Sequence, residues 1–114
     1  MRKDPQVFLK HILESIEWIE KETKNLSKSK FTQDVPSQDI VIRRLEIIGE
    51  ATKNLPSDFK KKYPDIPWKK IAGLRDKLIH GYFGIDLNLV WSVVQNEIPL
   101  LKEQIKNSFK GNPD

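Results

Sequence analysis

The chain contains no cysteine. Disulfide bracing, thiol catalysis and thiolate metal sites are therefore excluded, and a cytoplasmic setting is the expectation. Histidine is nearly as scarce, with only His11 and His80. Two imidazoles without a thiolate do not make a zinc site. The helical carboxylates Glu46 and Glu50 lack the Glu-x-x-His companion of a carboxylate metal centre. Neither a metal nor another cofactor is expected. Gly81 and Gly84 are too few for a phosphate-cradling loop, and no P-loop or nucleophile elbow occurs. No apolar run approaches the roughly 20 residues of a bilayer span, and residues 1–10 carry no signal-peptide core, so no membrane partner is expected. Sustained apolar–polar alternation is missing, as are repeats and low-complexity tracts.

What remains is an ordinary soluble composition, 32% charged and 38% hydrophobic over 114 residues. That length fits one domain, residues 1–114. The net charge is +4, and the excess is concentrated. Lys53, Lys60, Lys61, Lys62, Lys69, Lys70, Arg75 and Lys77 are opposed only by Asp58, Asp65 and Asp76 between positions 53 and 77. Such a segment attracts polyanions, although a solvated helix face rich in lysine explains it equally well.

The apolar spacing is helical. Phe8, Ile12, Ile16 and Ile19 share one face of a helix over residues 5–25, which Asp4 can cap and Pro5 can start. Residues 26–38 are polar and read as a connection with a short turn around Phe31. A second helix follows from Pro36 or Ser37 to Leu55, with Val41, Leu45, Ile48, Thr52 and Leu55 on a stripe widened by Ile40, Ile47 and Ala51. Gly49 inside it costs about 1 kcal/mol against alanine, which is tolerable if another helix crosses closely there. Residues 57–63 form a short helical piece. Trp68, Ile71, Ala72, Leu78 and Ile79 then carry a helix on to His80, with Gly81 as its left-handed stop. Asp86 caps a last helix reaching about Phe109, with Leu87, Val90, Val94, Ile98, Leu101 and Ile105 on one stripe, Trp91 beside it, and a kink at Pro99. The fold expected is all-α: an up-down bundle of four main helices with short extra turns. The generous stripes of the second and last helices make part of them a candidate dimer face.

The most informative segment is Arg75-Asp76-Lys77-Leu78-Ile79-His80-Gly81-Tyr82. Histidine is suited to proton transfer near neutral pH, and arginine is shaped to hold a phosphate. Together they suffice for metal-free cleavage of RNA. On a continuous helix Arg75 and His80 would lie about 140° apart, whereas Arg75 and Tyr82 would fall within about 20° of alignment. The Arg–His pair then needs a curled arginine, a loosened helix end, or convergence across a two-fold axis. Asp76 would share a face with His80 and raise its pKa. Each residue also has an ordinary explanation: His80 as a partner of the helix C-terminus, Arg75 as a surface cation, Tyr82 as a core aromatic. His11 reads as structural. Glu46 and Glu50 read as local ion-pair partners of Arg43 and Arg44.

The order of several segments resembles the HepT-like toxins of the HEPN superfamily, the partners of minimal nucleotidyltransferase (MNT) antitoxins. Arg75-x4-His80-x-Tyr82 matches the central R-x4-H-x-Y signature. Arg43 to Ala51 resembles the R-x-L-E-x-I-G-E-A helix, Pro67 to Arg75 the P-W-x-x-I-x-G-x-R approach, and Phe83 to Asp86 with Val90-Trp91 the segment that usually follows. The resemblance covers positions 8 to about 105. It implies an all-α HEPN-like homodimer with its R-x4-H motifs converging at a cleft. It implies metal-independent RNA endonuclease activity, with Arg75 and His80 catalytic and a tRNA or mRNA substrate. It also implies a cognate nucleotidyltransferase antitoxin that transfers AMP to Tyr82. Lys69, Lys70 and Lys77 would hold the RNA backbone, and Asp76 would support His80. The family commonly has asparagine at position 76, so Asp76 bears on the level of activity. The alternative is a non-catalytic helical dimer that binds or presents substrate to a separate nucleotidyltransferase.

Overall fold

The computed structural model describes residues 4–80 and 84–111, and for residues 79, 80 and 108–111 it describes the backbone. Helix α1 spans Pro5–Thr23, with the Asp4 carboxylate accepting from the Gln6 N–H at 2.9 Å and Pro5 in the first turn. This satisfies one of the amide donors left open at a helix start. A single turn, α2 (Lys28–Phe31), capped by Ser27, seats Phe31 in the core. Helix α3 spans Val35–Asn54 and starts slightly before the expected point because Asp34 supplies the cap, accepting from the Ser37 N–H. Helix α4 is Ser57–Lys62.

The helix expected to continue to His80 is instead broken twice. Helix α5 (Trp68–Ala72) ends at Gly73, whose φ of −90° and ψ of 6° leave the helical basin, and α6 (Leu74–Leu78) resumes directly. Trp68, Ile71, Leu74 and Leu78 are all buried in the core. Beyond Leu78 the chain turns extended. Strand β1 (Ile79–His80) pairs antiparallel with β2 (Gly84–Ile85), Ile79 opposite Ile85 and His80 opposite Gly84. The Asp86 N–H donates to the Leu78 carbonyl at 3.1 Å, closing the base of this ribbon. The expected stop at Gly81 lies outside the described residues.

The last helical stretch comprises α7 (Leu87–Ser92), a π-helical segment (Val93–Glu97) and α8 (Ile98–Gly111). Pro99 has no N–H, and its ring would collide with the carbonyl four residues back in a regular helix. The wider turn just before it, in which the Ile98 N–H reaches back to the Val93 carbonyl, is how the chain accommodates that ring. It also brings Val93 into the core beside Val90 and Val94.

The architecture is thus all-α, apart from the two-residue strands. Helix α1 lies along α3, and the buried faces are Leu9, Ile12, Ile16 and Ile19 from α1 and Val41, Leu45 and Ile48 from α3. Leu9, rather than Phe8, occupies the centre at the start of α1, and Phe8 is half-buried at the edge. Helix α8 closes the far side through Ile98, Leu101 and Ile105. Helix α5 crosses α3 at Gly49, where an added Cβ would stand 3.4 Å from the Ala72 carbonyl oxygen. The glycine is therefore a point of close helix approach. The Trp68 indole N–H donates to the carbonyls of Lys60 and Tyr63, both at 3.1 Å, tying the open end of α4 to α5. Between α1 and α8, Lys102 donates to Glu20 at 2.8 Å. That hydrogen bond holds the Lys102 ammonium above its ordinary lysine pKa, against a smaller opposing effect of burial. No helix among the described residues is long and apolar enough to cross a membrane.

Candidate active site

Arg75 sits in the first turn of the short α6, exposed to solvent. Its Nε donates to Glu46 Oε2 at 2.9 Å, across to α3. Glu46 is therefore not simply a local partner of its own helix, as its spacing from Arg43 had suggested. It orients an arginine 29 residues away. Glu50 keeps a local ion pair, with Lys53 at 3.8 Å.

The Arg75 guanidinium closes one side of an open groove of about 460 Å³. The floor is the outward stripe of α3, with Arg43, Glu46, Ile47 and Glu50 at three- and four-residue spacing. The opposite wall is Phe8 and His11 from α1. His11, which the sequence marks only as a helix residue near an apolar face, thus shares a groove with Arg75. Nothing local in the sequence signals this, because it depends on α1 and α6 flanking the same side of α3.

His80 follows α6 by two residues and lies in β1, where backbone pairing with Gly84 fixes its place relative to α6. Because α6 ends at Leu78 and His80 lies in β1, the shared helical face expected for Asp76 and His80 does not hold; the alignment expected for Arg75 with Tyr82 lies outside the described residues. Asp76 is exposed on α6. The His80 side chain and all of Tyr82 lie outside the described residues. Lys69 and Lys77 are exposed on α5 and α6; Lys70 is exposed too but pairs with Glu97 of the π-helical segment. Among the described residues no group of three or more histidine, aspartate or glutamate side chains is gathered in a way that could hold a metal ion.

The sequence pattern of the ribonuclease HepT-like family matches residues 12–108. The chain belongs to the HepT-like ribonuclease family. A Thermococcus cleftensis protein named "Probable ribonuclease HepT" is 48% identical over 110 residues, covering 96% of this chain and 100% of that one. A Methanocaldococcus jannaschii protein named "Gamma-glutamylcyclotransferase and putative RNase MJ0434" is 57% identical over 105 residues, 92% of this chain and 47% of that one. The chain thus spans about half the length of this second relative. No solved structure matches the chain. The matched residues include Glu46, Arg75 and the strand carrying His80, and all of the groove lining except Phe8 and His11.

Proposed function

We propose that this protein is the toxin of a HEPN/MNT toxin–antitoxin pair and acts as a metal-independent RNA endonuclease. The observation that carries the reading is Arg75, exposed yet oriented by Glu46, three residues before the helix end that leads into the His80 strand, in a HepT-like chain. In the proposed reaction the ribose 2′-oxygen attacks the adjacent phosphorus, the bond to the 5′-oxygen breaks, and a 2′,3′-cyclic phosphate and a 5′-hydroxyl result. One His80 imidazole takes the 2′-hydroxyl proton. A second, protonated His80 from the partner subunit of a homodimer delivers a proton to the leaving 5′-oxygen. Arg75 stabilises the charge that builds on the non-bridging phosphate oxygens. Lys69 and Lys77 contribute long-range attraction for the RNA.

Neutralisation belongs to the same reading. A nucleotidyltransferase partner would join the Tyr82 phenolic oxygen to the α-phosphorus of ATP, releasing pyrophosphate and the phenol proton. The resulting AMP ester is a bulky anion placed in the Arg–His motif, where it competes with the RNA phosphate.

The test is cleavage of tRNA and of a labelled mRNA by the purified protein in EDTA, with His80→Ala alongside. Products ending in 2′,3′-cyclic phosphate that vanish in the variant support the reading. No cleavage, or equal cleavage by the variant, favours a non-catalytic helical dimer that presents substrate to a nucleotidyltransferase.

A further inference from the structure

We infer that the groove between α1 and α6, floored by α3, is a nucleotide subsite that seats the residue of single-stranded RNA next to the bond at Arg75. The inference rests on the ribonuclease reading and adds to it a place and a set of contacts. Three observations carry it. The groove is continuous with Arg75, so a chain whose phosphate meets that guanidinium runs directly into it. Its volume of about 460 Å³ is in the range of small-ligand sites, about 300–1,000 Å³. Its lining also has the chemistry of a nucleotide: Arg43 and His11, both exposed, for phosphate; Ile47 and Phe8 for a base face; and the Glu46 and Glu50 carboxylates for ribose hydroxyls or base amino groups.

Charge distribution supports the phosphate role of Arg43. Among the described residues Glu46 is held by Arg75 and Glu50 by Lys53, and Arg43 has no ion pair. An exposed guanidinium one turn along α3 from the Arg75–Glu46 pair is available for the next phosphate. Contact of a base face with Ile47 and Phe8 needs a base that is not stacked within a duplex, so the occupant is an unpaired nucleotide.

The probe is a fluorescein-labelled single-stranded RNA with a 2′-deoxy substitution at the mapped cleavage site, so that binding is read without cleavage. A second version carries a neutral methylphosphonate in place of the neighbouring phosphate. For the wild-type protein the methylphosphonate should weaken binding about tenfold, the scale of one charge-assisted contact. Arg43→Glu should weaken the normal RNA by at least that factor and show no further loss with the methylphosphonate. His11→Ala should weaken it about threefold, while Lys28→Glu, the same charge change on α2 outside the groove, should lose less than Arg43→Glu. Both groove residues are exposed, so the variants should fold, which circular dichroism checks. If the RNA binds and the methylphosphonate penalty is the same in Arg43→Glu as in wild type, the subsite is overturned while the nuclease reading stands. Groove-dependent binding with cleavage of the unmodified RNA that is undiminished in His80→Ala would overturn the nuclease reading and leave the subsite. Loss of equal size in Lys28→Glu would reduce the effect to overall charge and overturn the subsite.

Discussion

Arg75 and Glu46 join the signature segment to the long helix α3 by a side-chain ion pair, Nε to Oε2 at 2.9 Å across 29 residues of sequence. Arg75 is 59% exposed, so the pair contributes about 0–1 kcal/mol to stability after solvent screening. Its value is orientation. Glu46→Gln should leave the melting temperature within a few degrees while lowering kcat/KM for RNA about tenfold, since a misdirected guanidinium meets the phosphate less often. Steady-state cleavage beside a thermal melt checks this. An unchanged kcat/KM would make the pair structural only.

The roles assigned to Arg75 and His80 predict steeper effects. His80→Ala should cost about 10²–10⁴-fold in kcat, the usual worth of a general acid or base. Arg75→Lys should fall nearly as far as Arg75→Ala, because an ammonium does not reproduce the guanidinium fork on a phosphate. Single-turnover cleavage measures both. Wild-type rates in Arg75→Lys would mean that charge alone matters at this position.

Gly49 gives a prediction about the scaffold. A Cβ there would sit 3.4 Å from the Ala72 carbonyl oxygen. Gly49→Leu should push α5 off α3 and cost about 1–3 kcal/mol. Gly49→Ala trades an unfavourable helix glycine, about 1 kcal/mol, against a tight contact and should stay within about 1 kcal/mol of the wild type. Urea unfolding distinguishes the two. Equal stability of all three proteins would show that the helices can separate freely.

Which of these features the sequence reveals follows from their range. Asp4 and Asp86 accept from amides two and three residues away and Pro5 fixes its own φ, so helix starts are legible locally; only the cap at Asp34, ahead of Pro36, shifts a boundary. The close crossing at Gly49 is also readable, because a glycine in a helix interior otherwise has no benefit. The break at Gly73 is not. Trp68, Ile71, Leu74 and Leu78 satisfy a continuous helical pattern, and only the Gly73 backbone departs from it. The strand at His80 is hidden as well, being two residues long and held by pairing with Gly84. The Arg75–Glu46 pair and the His11 side of the groove depend on how α1 and α6 lie against α3. No spacing within one segment encodes that.

The alkaline limit of the fold should depend on Lys102. Its hydrogen bond to Glu20 raises the folded pKa. Below the unfolded lysine value, about 10.4, the ammonium is present in both states and the pair contributes fully. Its contribution is then lost as pH rises through the raised folded value. Because both side chains are partly exposed, the amount is under about 1 kcal/mol. Urea unfolding at pH 8 and pH 11 should show a larger alkaline loss for wild type than for Lys102→Met. Equal losses would mean that the α1–α8 contact is governed by packing alone.

Tyr82 tests the proposed switch. Transfer of AMP needs the phenolic oxygen as nucleophile, whereas phosphodiester cleavage by Arg75 and His80 does not use it. Tyr82→Phe should therefore cleave RNA at close to the wild-type rate yet remain active after incubation with the nucleotidyltransferase partner and ATP. The wild-type protein treated in the same way should lose activity and gain the mass of one AMP per chain, about 329 Da, by intact-mass spectrometry. If the partner silences Tyr82→Phe as completely as the wild type, neutralisation acts by binding alone and Tyr82 is not the switch.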